Sequence, residues 1–448
     1  YGGFRADGKE YVIDTEERTT PLPWSHVIAN EYFGTIVTAN GGGYLWHGNS
    51  QSNKITSWSN DCLRDTPSEK LQFKIGEKIM NLLPYDSLER YRVIYGFGYA
   101  KFLYEEEGIQ TETLIYVPIN SNKKVYDIQI RSGALHSGAQ CAPLLDEMTL
   151  EYTLIPVLGV SREFTKKHLV IIKEMDGATI RNRYRENYAN DDVRIKTSQK
   201  ISEFSKEDAI VKLKIPLVEE KNMQDEKPFV YHVQIEISCE NELMGNSYEE
   251  GQSSQSREAI LYGGEKETPS KTKMQNVKQD MEEMEAFWND KMRTVKVYTP
   301  VESMNLMMNG WLIYQTLCCR MWARTSFYQA GGAFGFRDQL QDSLAMLWVD
   351  PELTRKQILY HAAHQFEEGD VLHWWHPEKN NGTRTRYSDD LLWLPFVLSK
   401  YVTVTGDMQI LEEQVPYVKS EMLREEETER YSTVATTEYT DTLYNHAK

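Results

Sequence analysis

The sequence predicts a multidomain fold in which an antiparallel β-sandwich is followed by a helical barrel. Three observations lead to this prediction. Apolar residues alternate with polar ones up to about residue 240, they recur with a helical period after about residue 273, and a polar, Gly/Ser/Glu-rich stretch lies between. A chain of 448 residues with 40% hydrophobic and 26% charged residues is long enough for two or three domains.

The N-terminal part has the pattern of half-buried strands. In 211–217 and again in 229–237, apolar residues occupy every second position. Turn clusters such as Asn40-Gly41-Gly42-Gly43 interrupt the apolar runs, with no helical period of any length between them. This favours an antiparallel sandwich over a parallel α/β sheet. We assign residues 1–272 to this domain and expect 241–272 to form a polar loop.

The hydrophobic period changes after the polar loop. Two helical faces come first, Val277, Met281, Met284 and Trp288, and then Met307, Trp311, Tyr314 and Cys318. The first face predicts a helical linker over residues 273–299, and the second opens a helical barrel over 300–448. Further helices are expected at roughly 339–349, 352–366 and 389–404. The long loops between these helices would line a cleft at one end of the barrel.

The composition argues against several classes of partner. A net charge of −17 disfavours nucleic acids and anionic membranes, because both reward clustered Lys and Arg. No run of about 18 apolar residues predicts a membrane span. Five cysteines in neither a disulfide framework nor a metal spacing favour a reducing compartment, so a cytoplasmic location is the default expectation. The oligomeric state stays open, a homodimer included.

Three segments of the helical part combine carboxylates, guanidinium groups, indoles and imidazoles beside glycines. They are Tyr-Gln-Ala-Gly-Gly-Ala-Phe-Gly-Phe-Arg-Asp-Gln-Leu-Gln-Asp at 328–342, Glu-Gly-Asp-Val-Leu-His-Trp-Trp-His-Pro at 368–377, and Arg-Tyr-Ser-Asp-Asp-Leu-Leu-Trp-Leu-Pro at 386–395. The hydroxyls of a pyranose take bidentate polar partners, and its C–H face packs on an indole. The segments therefore predict sugar-binding loops.

The three segments belong to a longer sequence pattern that also includes four stretches of the predicted sandwich, namely 2–13, 20–30, 41–46 and 49–61. Together they resemble glycoside hydrolase family 94, the inverting β-glucoside phosphorylases, and especially the phosphorylase domain of cyclic β-1,2-glucan synthases. The resemblance implies a large N-terminal β-sandwich, a helical linker and an (α/α)6 barrel, of which residues 300–448 would form an incomplete part. It also implies a β-glucan oligosaccharide as substrate, inorganic phosphate as co-substrate, no cofactor, and α-glucose 1-phosphate as product.

The resemblance places Arg337 and Asp338 in the donor-sugar subsite, where a guanidinium and a carboxylate can share vicinal hydroxyls. The residues alone leave a second interpretation open, in which the pair caps the helix that follows. Asp342 lies one helical turn on. It is either a solvated helix position or a partner that orients Arg337.

Asp389 and Asp390 form a second group of carboxylates. Adjacent residues cannot easily flank one glycosidic bond, and their position before an apolar run makes one of them a candidate helix N-cap. The resemblance implies that they shape the floor of the cleft and are not the general acid.

His373, Trp374, Trp375 and His376 could supply a stacking platform and hydroxyl partners for the sugar. The alternative is aromatic packing between helices, which should account for at least one of the two indoles. His361 and His364 lie inside a predicted helix and are expected in the core or at the surface. We identify no metal site from the sequence.

Inverting phosphorolysis needs one carboxylic acid to protonate the glycosidic oxygen, because phosphate is already an anionic nucleophile. In the family that acid is the Asp of a Trp-Asn-Asp motif, and no such tripeptide occurs between Pro395 and the last residue, Lys448. The general acid is therefore expected downstream of Lys448, and the phosphate ligands later still.

The sequence is accordingly interpreted as an N-terminal fragment that holds no catalytic residue and is itself inactive. Two alternatives stay open. One is a hydrolase on the same architecture, and the other is a truncated, non-catalytic carbohydrate-binding protein.

A second departure from the family pattern concerns the Gly-Gly pair at 331–332. Cellobiose- and chitobiose-type members carry an extra arginine after this pair, and residues 331–334 contain none. This difference favours the β-1,2-glucan branch of the family.

Overall fold

The structure is a computed structural model that describes residues 1–5, 7–15, 20–85, 91–132, 148–185, 187–217, 230–241 and 276–448. Its N-terminal part is built from three antiparallel sheets around one core. The largest has ten strands, in the spatial order Gly2–Phe4, Glu10–Asp14, Tyr91–Gly96, Tyr99–Glu106, Ile109–Tyr116, Lys123–Ser132, Val230–Asn241, Asp191–Thr197, Gly177–Arg181 and Val170–Lys173.

Two five-stranded sheets complete this sandwich. One runs Glu203–Ser205, Val211–Pro216, Met148–Leu154, Glu69–Ile75 and Lys78–Asn81, and the other runs Pro156–Gly159, Lys54–Thr56, Gly43–His47, Phe33–Thr38 and Ser25–Ala29. Alternate residues of the predicted strands face the core. Val211, Leu213 and Ile215, for example, are at most 1% exposed. The strand period in the sequence thus marked the buried face correctly.

Helices follow the sandwich. They are Val277–Arg293, a continuous helical stretch over 302–322 with two π-helical turns, Phe336–Met346, Pro351–Ala362, Asp390–Thr405 and Leu443–His446. The predicted order of an antiparallel β-sandwich and then a helical region is therefore confirmed. The domain bounds drawn from the sequence stay a prediction, and most of the expected polar loop at 241–272 lies outside the described residues.

The helical part also contains a small sheet that the sequence pattern did not predict. Its four antiparallel strands are Phe334–Gly335, Leu372–His376, Asn381–Thr385 and Glu429–Thr433. Two of the segments expected as loops therefore contain strands. Their strands have two to five residues, too short for a clear period of two to appear. A further pair of strands, Gln414–Lys419 and Ala435–Thr442, lies near the end of the chain.

An aromatic cluster joins the two parts of the molecule. Trp288 is 2% exposed, and its ring centroid lies 4.7 Å from that of Tyr314, which lies 5.2 Å from the ring of His26 in the sandwich. The hydroxyl of Tyr314 donates to the carbonyl of Val27 at 2.6 Å. Burial lowers the pKa of His26 to about 4, so this ring is neutral at pH 7. The sandwich and the helices thus share a buried aromatic contact, which helps to fix how they meet.

Replacing Trp288 with Ala should lower the free energy of unfolding by about 3 to 5 kcal/mol, because it removes a large buried ring and leaves a cavity. The matched control is Tyr298→Ala. Because Tyr298 is 85% exposed, this substitution should change the free energy of unfolding by less than about 0.5 kcal/mol. Urea unfolding of both variants checks this. Equal stability of the two would mean that the cluster does not join the two parts.

Candidate active site

The glycine-rich segment of the helical part lies directly against a loop of the sandwich. The side-chain amide of Asn49 donates to the carbonyl of Gly332 at 2.9 Å, and the hydroxyl of Ser50 donates to the carbonyl of Ala323 at 2.8 Å. Gly332 has a φ of +59°, and a Cβ there would overlap the Asn49 side chain. This position therefore requires glycine both for its backbone conformation and for the close approach.

The side chain of Asn49 is held in one orientation because the oxygen of its amide is also hydrogen-bonded. Its carbonyl oxygen accepts from the backbone N–H groups of Gln51 at 2.9 Å and Ser52 at 3.0 Å. The hydroxyls of Tyr44 and Thr325 add a second contact across the same boundary at 2.9 Å. The stretch 49–61, which the sequence singled out, thus builds a turn and also holds the glycine-rich segment.

The glycine-rich segment leads into the helix Phe336–Met346, whose N-cap is Gly335. A residue of the helix itself satisfies the N–H of the N-cap: the side-chain oxygen of Gln339 accepts from the backbone N–H of Gly335 at 2.6 Å. Asp338 makes no capping hydrogen bond, although its carboxylate lies over Gly335 closely enough to exclude a Cβ there. Arg337 and Asp338 stay exposed on the first turn.

Arg337 faces the start of a second helix. Its Nη1 lies 3.6 Å from Oδ2 of Asp389, and its guanidinium carbon lies 5.4 Å from the ring centroid of Trp393. Both charged side chains are about half exposed, so this ion pair contributes little to stability. The groups therefore remain accessible to a ligand.

Asp342 pairs with a different arginine from the one the sequence suggested. Its Oδ2 accepts from Nε of Arg320 at 2.7 Å, so it neither orients Arg337 nor sits as a free solvated residue. Burial raises the pKa of Asp342 and the neighbouring Asp338 adds to the rise, while Arg320 opposes it. Arg320 lies in the helical stretch over 302–322, and no motif in the sequence pointed to it.

Asp389 occupies the N-cap position of the helix Asp390–Thr405, but its side chain makes no capping hydrogen bond. One of the two aspartates is thus the N-cap residue, as predicted, although Asp389 occupies that position without a side-chain hydrogen bond. Asp390 lies inside the first turn and is 2% exposed, with Oδ2 at 2.8 Å from Nδ1 of His373. Burial raises the pKa of Asp390, and its carboxylate neighbours add to the rise, while His373 opposes it. A neutral His373 would donate from Nδ1 and leave Nε2 as an acceptor.

The two tryptophans of the strand Leu372–His376 have different environments. Trp375 is completely buried, donates from Nε1 to the hydroxyl of Tyr360 at 3.1 Å and stacks on His364 at 4.1 Å. It belongs to the core, as the alternative of aromatic packing expected. Trp374 is half-buried and stacks on Tyr431 at 5.4 Å, with the ring of His376 edge-on at 5.5 Å.

His361 and His364 are both in the core, as expected. Burial lowers the pKa of His361 to about 3 and that of His364 to about 4, so both rings are neutral at pH 7.

The structure thus brings together five of the predicted residues at the N-terminal ends of two helices. They are Arg337, Asp338, His373, Asp389 and Asp390, with Asp342 and Trp393 beside them. Three carboxylates around one guanidinium and one imidazole offer a dense set of acceptors and donors for sugar hydroxyls. Trp375 is separated from this set by burial, and Trp374 packs on His376 and Tyr431 instead.

One Trp-Asn-Asp tripeptide does occur in the chain, at 288–290 on the helix Val277–Arg293. Trp288 is part of the buried aromatic cluster, and Asp290 is exposed and pairs with Arg293 at 2.7 Å. This aspartate is a surface residue of the linker helix and is not part of the group around Arg337.

The last residue of the sequence, Lys448, is exposed and follows the short helix Leu443–His446, where its backbone N–H donates to the carbonyl of Asn445 at 3.3 Å. None of the contacts that build the group around Arg337 involves Lys448. No described residue tests the expectation that the general acid lies downstream of Lys448. It therefore stays a prediction, and the structure assigns no general acid in its place.

Comparison with known proteins identifies two matching family models. The Glycosyl hydrolase 94 superfamily catalytic domain matches residues 287–448, and the Glycosyl hydrolase 94 supersandwich domain matches residues 9–134, together more than half of the chain. The chain is also 31% identical to the cyclic beta-(1,2)-glucan synthase NdvB of Rhizobium meliloti (strain 1021), in an alignment that covers 100% of the chain and 16% of that protein.

Other similar proteins are named as phosphorylases. An N,N'-diacetylchitobiose phosphorylase of Vibrio proteolyticus is 24% identical over 93% of the chain and 56% of its own length. A solved structure named "Putative kojibiose phosphorylase from human microbiome" has a TM-score of 0.55 at 10% identity, over 92% of the chain and 58% of that structure. The latter likeness concerns the fold alone. The chain therefore spans between about a sixth and three fifths of these relatives.

The raised pKa of Asp390 gives a prediction for stability against pH. A carboxylate whose folded-state pKa lies above its ordinary value of 3.8 lowers the free energy of unfolding as pH rises through that interval. Asp390→Asn should abolish this pH-dependent loss of stability, while its amide oxygen can still accept a hydrogen bond from His373. The variant should therefore be more stable than the unaltered protein at pH 7, but not at a pH below the ordinary pKa of Asp.

The matched control is Asp407→Asn. Burial opposes ionisation of Asp407, but hydrogen bonds from Tyr401 and Arg355 outweigh it and lower its pKa, so its stabilising contribution is lost as pH falls through the folded value. This variant should be destabilised at pH 7. Thermal denaturation over a pH series measures both. Destabilisation by Asp390→Asn at pH 7 would show that the carboxylate is favourable to the fold and would contradict the prediction.

Proposed function

The chain belongs to the glycosyl hydrolase 94 family, and we propose that it forms the sandwich and the donor-sugar site of a glycoside phosphorylase. The observation that carries this proposal is the group around Arg337, in which an exposed guanidinium lies 3.6 Å from the Asp389 carboxylate and adjoins Asp338 in sequence. Charged donors and acceptors at this spacing suit the vicinal hydroxyls of one pyranose ring.

The surroundings of this group support a rigid sugar site. Asp338 lies in the first turn of a helix whose cap is closed by Gln339, and the segment before it is held by Asn49 of the sandwich. Asp390 fixes the orientation of His373 through the 2.8 Å contact, which leaves the other ring nitrogen for a hydrogen bond with a sugar hydroxyl. Preorganised polar groups of this kind bind without a large ordering cost.

In the proposed reaction, phosphate attacks the anomeric carbon of a bound β-glucoside while one carboxylic acid protonates the leaving oxygen. The products would be α-glucose 1-phosphate and a shortened glucan, with no general base and no cofactor required. The residues around Arg337 would hold the donor glucose, and the carboxylates would favour the positive charge that develops on the ring. We do not assign the acid to Asp389 or Asp390, because adjacent carboxylates cannot easily flank one glycosidic bond, and no Trp-Asn-Asp motif follows Pro395.

We further propose that the glycosidic bond is β-1,2-linked. The similarity to a cyclic β-1,2-glucan synthase over the whole chain supports this linkage, as does the absence of an arginine in residues 331–334. A hydrolase on the same architecture is the alternative in a second class of reaction. It would need a carboxylate base to activate water, so dependence of turnover on added phosphate separates the two. The third candidate function is that of a carbohydrate-binding protein without enzymatic activity.

We place the protein in a reducing compartment such as the cytoplasm. Four cysteines of the described part, Cys62, Cys239, Cys318 and Cys319, are free thiols. Among the described residues, the helices are all too short or too polar to cross a membrane. The proposed ligands are a β-glucan oligosaccharide and phosphate. We assign no oligomeric state, and a homodimer is compatible with this proposal.

In an active phosphorylase that contains these residues, Asp338→Asn or Arg337→Lys should lower kcat/KM at least about tenfold. Each removes or weakens a charge-assisted hydrogen bond worth about 1.5 to 3 kcal/mol. Arg293→Lys is the control, because Arg293 is an exposed residue of the linker helix. Initial rates of glucose 1-phosphate release check this, and unchanged kinetics in both site variants would refute the donor-site assignment.

The chain 1–448 by itself should neither phosphorolyse nor hydrolyse sophorose or cellobiose, because we assign it no general acid. The assay compares both disaccharides with and without phosphate. Phosphate-dependent release of glucose 1-phosphate would place the acid within these residues and make Asp389 or Asp390 the candidate. Phosphate-independent release of glucose would favour the hydrolase.

A further inference from the structure

Three potential metal ligands converge inside the sandwich, away from the sugar site. His47 ends the strand Gly43–His47, Asp191 begins the strand Asp191–Thr197, and Cys239 lies in the strand Val230–Asn241. One ligand atom from each lies within 4.8 Å of the others, and His47 Nδ1 is 3.0 Å from Asp191 Oδ2. Asp191 and Cys239 are at most 5% exposed. Side chains of three strands and two sheets therefore meet at one buried point.

We propose that His47, Asp191 and Cys239 bind a zinc-class divalent cation. Imidazole nitrogen, carboxylate oxygen and thiolate sulfur are the ligand types that Zn²⁺ takes at about 2.0 to 2.3 Å, which puts neighbouring ligand atoms roughly 3 to 4 Å apart. His47 Nδ1 and Asp191 Oδ2 are already 3.0 Å apart, and the separations to the sulfur, at most 4.8 Å, would shorten by up to roughly 1 Å on binding. Binding would release the thiol proton of Cys239 to solvent.

Residues around the three ligands hold their backbones in place. Arg185 donates from Nη2 to the carbonyl of Asp191 at 2.7 Å and from Nη1 to Oδ1 of Asn53 at 2.5 Å. Asn53 in turn donates from its amide to the carbonyl of His47 at 2.9 Å. One guanidinium thus connects the chain at Asp191 to the chain at His47. Outer contacts of this kind are typical of protein metal sites, where they orient the ligands.

A hydrogen-bonded trio without a metal is the competing explanation, with Asp191 accepting from both His47 and Cys239. A dication accounts for more of the arrangement. The buried Arg185 already supplies one positive charge beside Asp191 and Cys239, and a dication would complete the balance of a buried carboxylate and thiolate. It would also use the sulfur as a strong ligand instead of a weak hydrogen-bond donor. His47 is 16% exposed at its side chain, which leaves a side from which water could supply a fourth ligand.

The position of the site suggests what a bound ion would do. The loop after His47 carries Asn49, which holds Gly332, and the loop before Asp191 carries Asn187 and Tyr188. Asn187 donates to the carbonyl of Glu378 at 2.7 Å, and the hydroxyl of Tyr188 lies 3.2 Å from its carboxylate. A metal ion would therefore tie together the roots of two sandwich loops that contact the helical part.

Cobalt provides the test, because a thiolate bound to tetrahedral Co²⁺ gives a charge-transfer absorption. Chelator-treated chain 1–448 is titrated with Co²⁺ and then with Zn²⁺. We expect one equivalent of Co²⁺ to produce the band and Zn²⁺ to remove it. Cys62→Ser, a substitution of a partly buried free cysteine outside the site, should behave like the unaltered chain. Cys239→Ser should lose the band.

A second variant keeps the test decisive if Cys239→Ser does not fold. His47→Gln changes a half-buried residue and should weaken Co²⁺ binding at least about 100-fold, since even outer-contact changes cost about 10- to 100-fold. Absence of the band in the unaltered chain, its persistence in Cys239→Ser, or unchanged affinity in His47→Gln would each overturn the proposal.

Discussion

The hydrogen bond from Asn49 to Gly332 is the contact on which the candidate site depends. The sandwich has no described residue in the group around Arg337, yet through Asn49 it sets the path of the segment that ends at Gly335, where the helix bearing Arg337 and Asp338 begins. A side-chain amide holds a neighbouring backbone firmly in this way when its other atom is also satisfied, as the turn over 49–52 ensures. The large sandwich therefore fixes the path of a short loop.

The site itself works against stability. Burial raises the pKa of Asp342 and of Asp390, and nearby carboxylates add to the rise, while Arg320 opposes it at Asp342 and His373 opposes it at Asp390. Like charges gathered in a partly buried cleft lower the free energy of unfolding. The aromatic cluster around Trp288 stabilises the molecule at the boundary between sandwich and helices. Such a division, with a polar site on a firmly packed base, is what a binding site for a neutral polar ligand requires.

The sequence predicted the class of each half because hydrophobic period is a local property, and Val211 to Ile215 or Met284 to Trp288 display it within a few residues. The grouping of Arg337 and Asp338 with Asp389 followed from family motifs. The partners Arg320 and Trp393 did not, because a residue's neighbour across a helix pair is not encoded in spacing along the chain. The same limit hid the trio of His47, Asp191 and Cys239, whose members come from distant parts of the sequence. The small sheet of the helical part was missed since its strands are too short for a period to show.

The most direct test of the account is the binding of sophorose to Asn49→Asp, measured by isothermal titration calorimetry. This substitution keeps the shape of the side chain and its turn-forming oxygen but replaces the donor to Gly332 with a repelling oxygen. The control is Asn289→Asp, an exposed position on the linker helix, with the fold of both variants checked by circular dichroism. We predict that affinity falls at least about tenfold, or about 1.4 kcal/mol, only in Asn49→Asp. Equal affinity in the two variants would contradict the claim that the sandwich positions the sugar site.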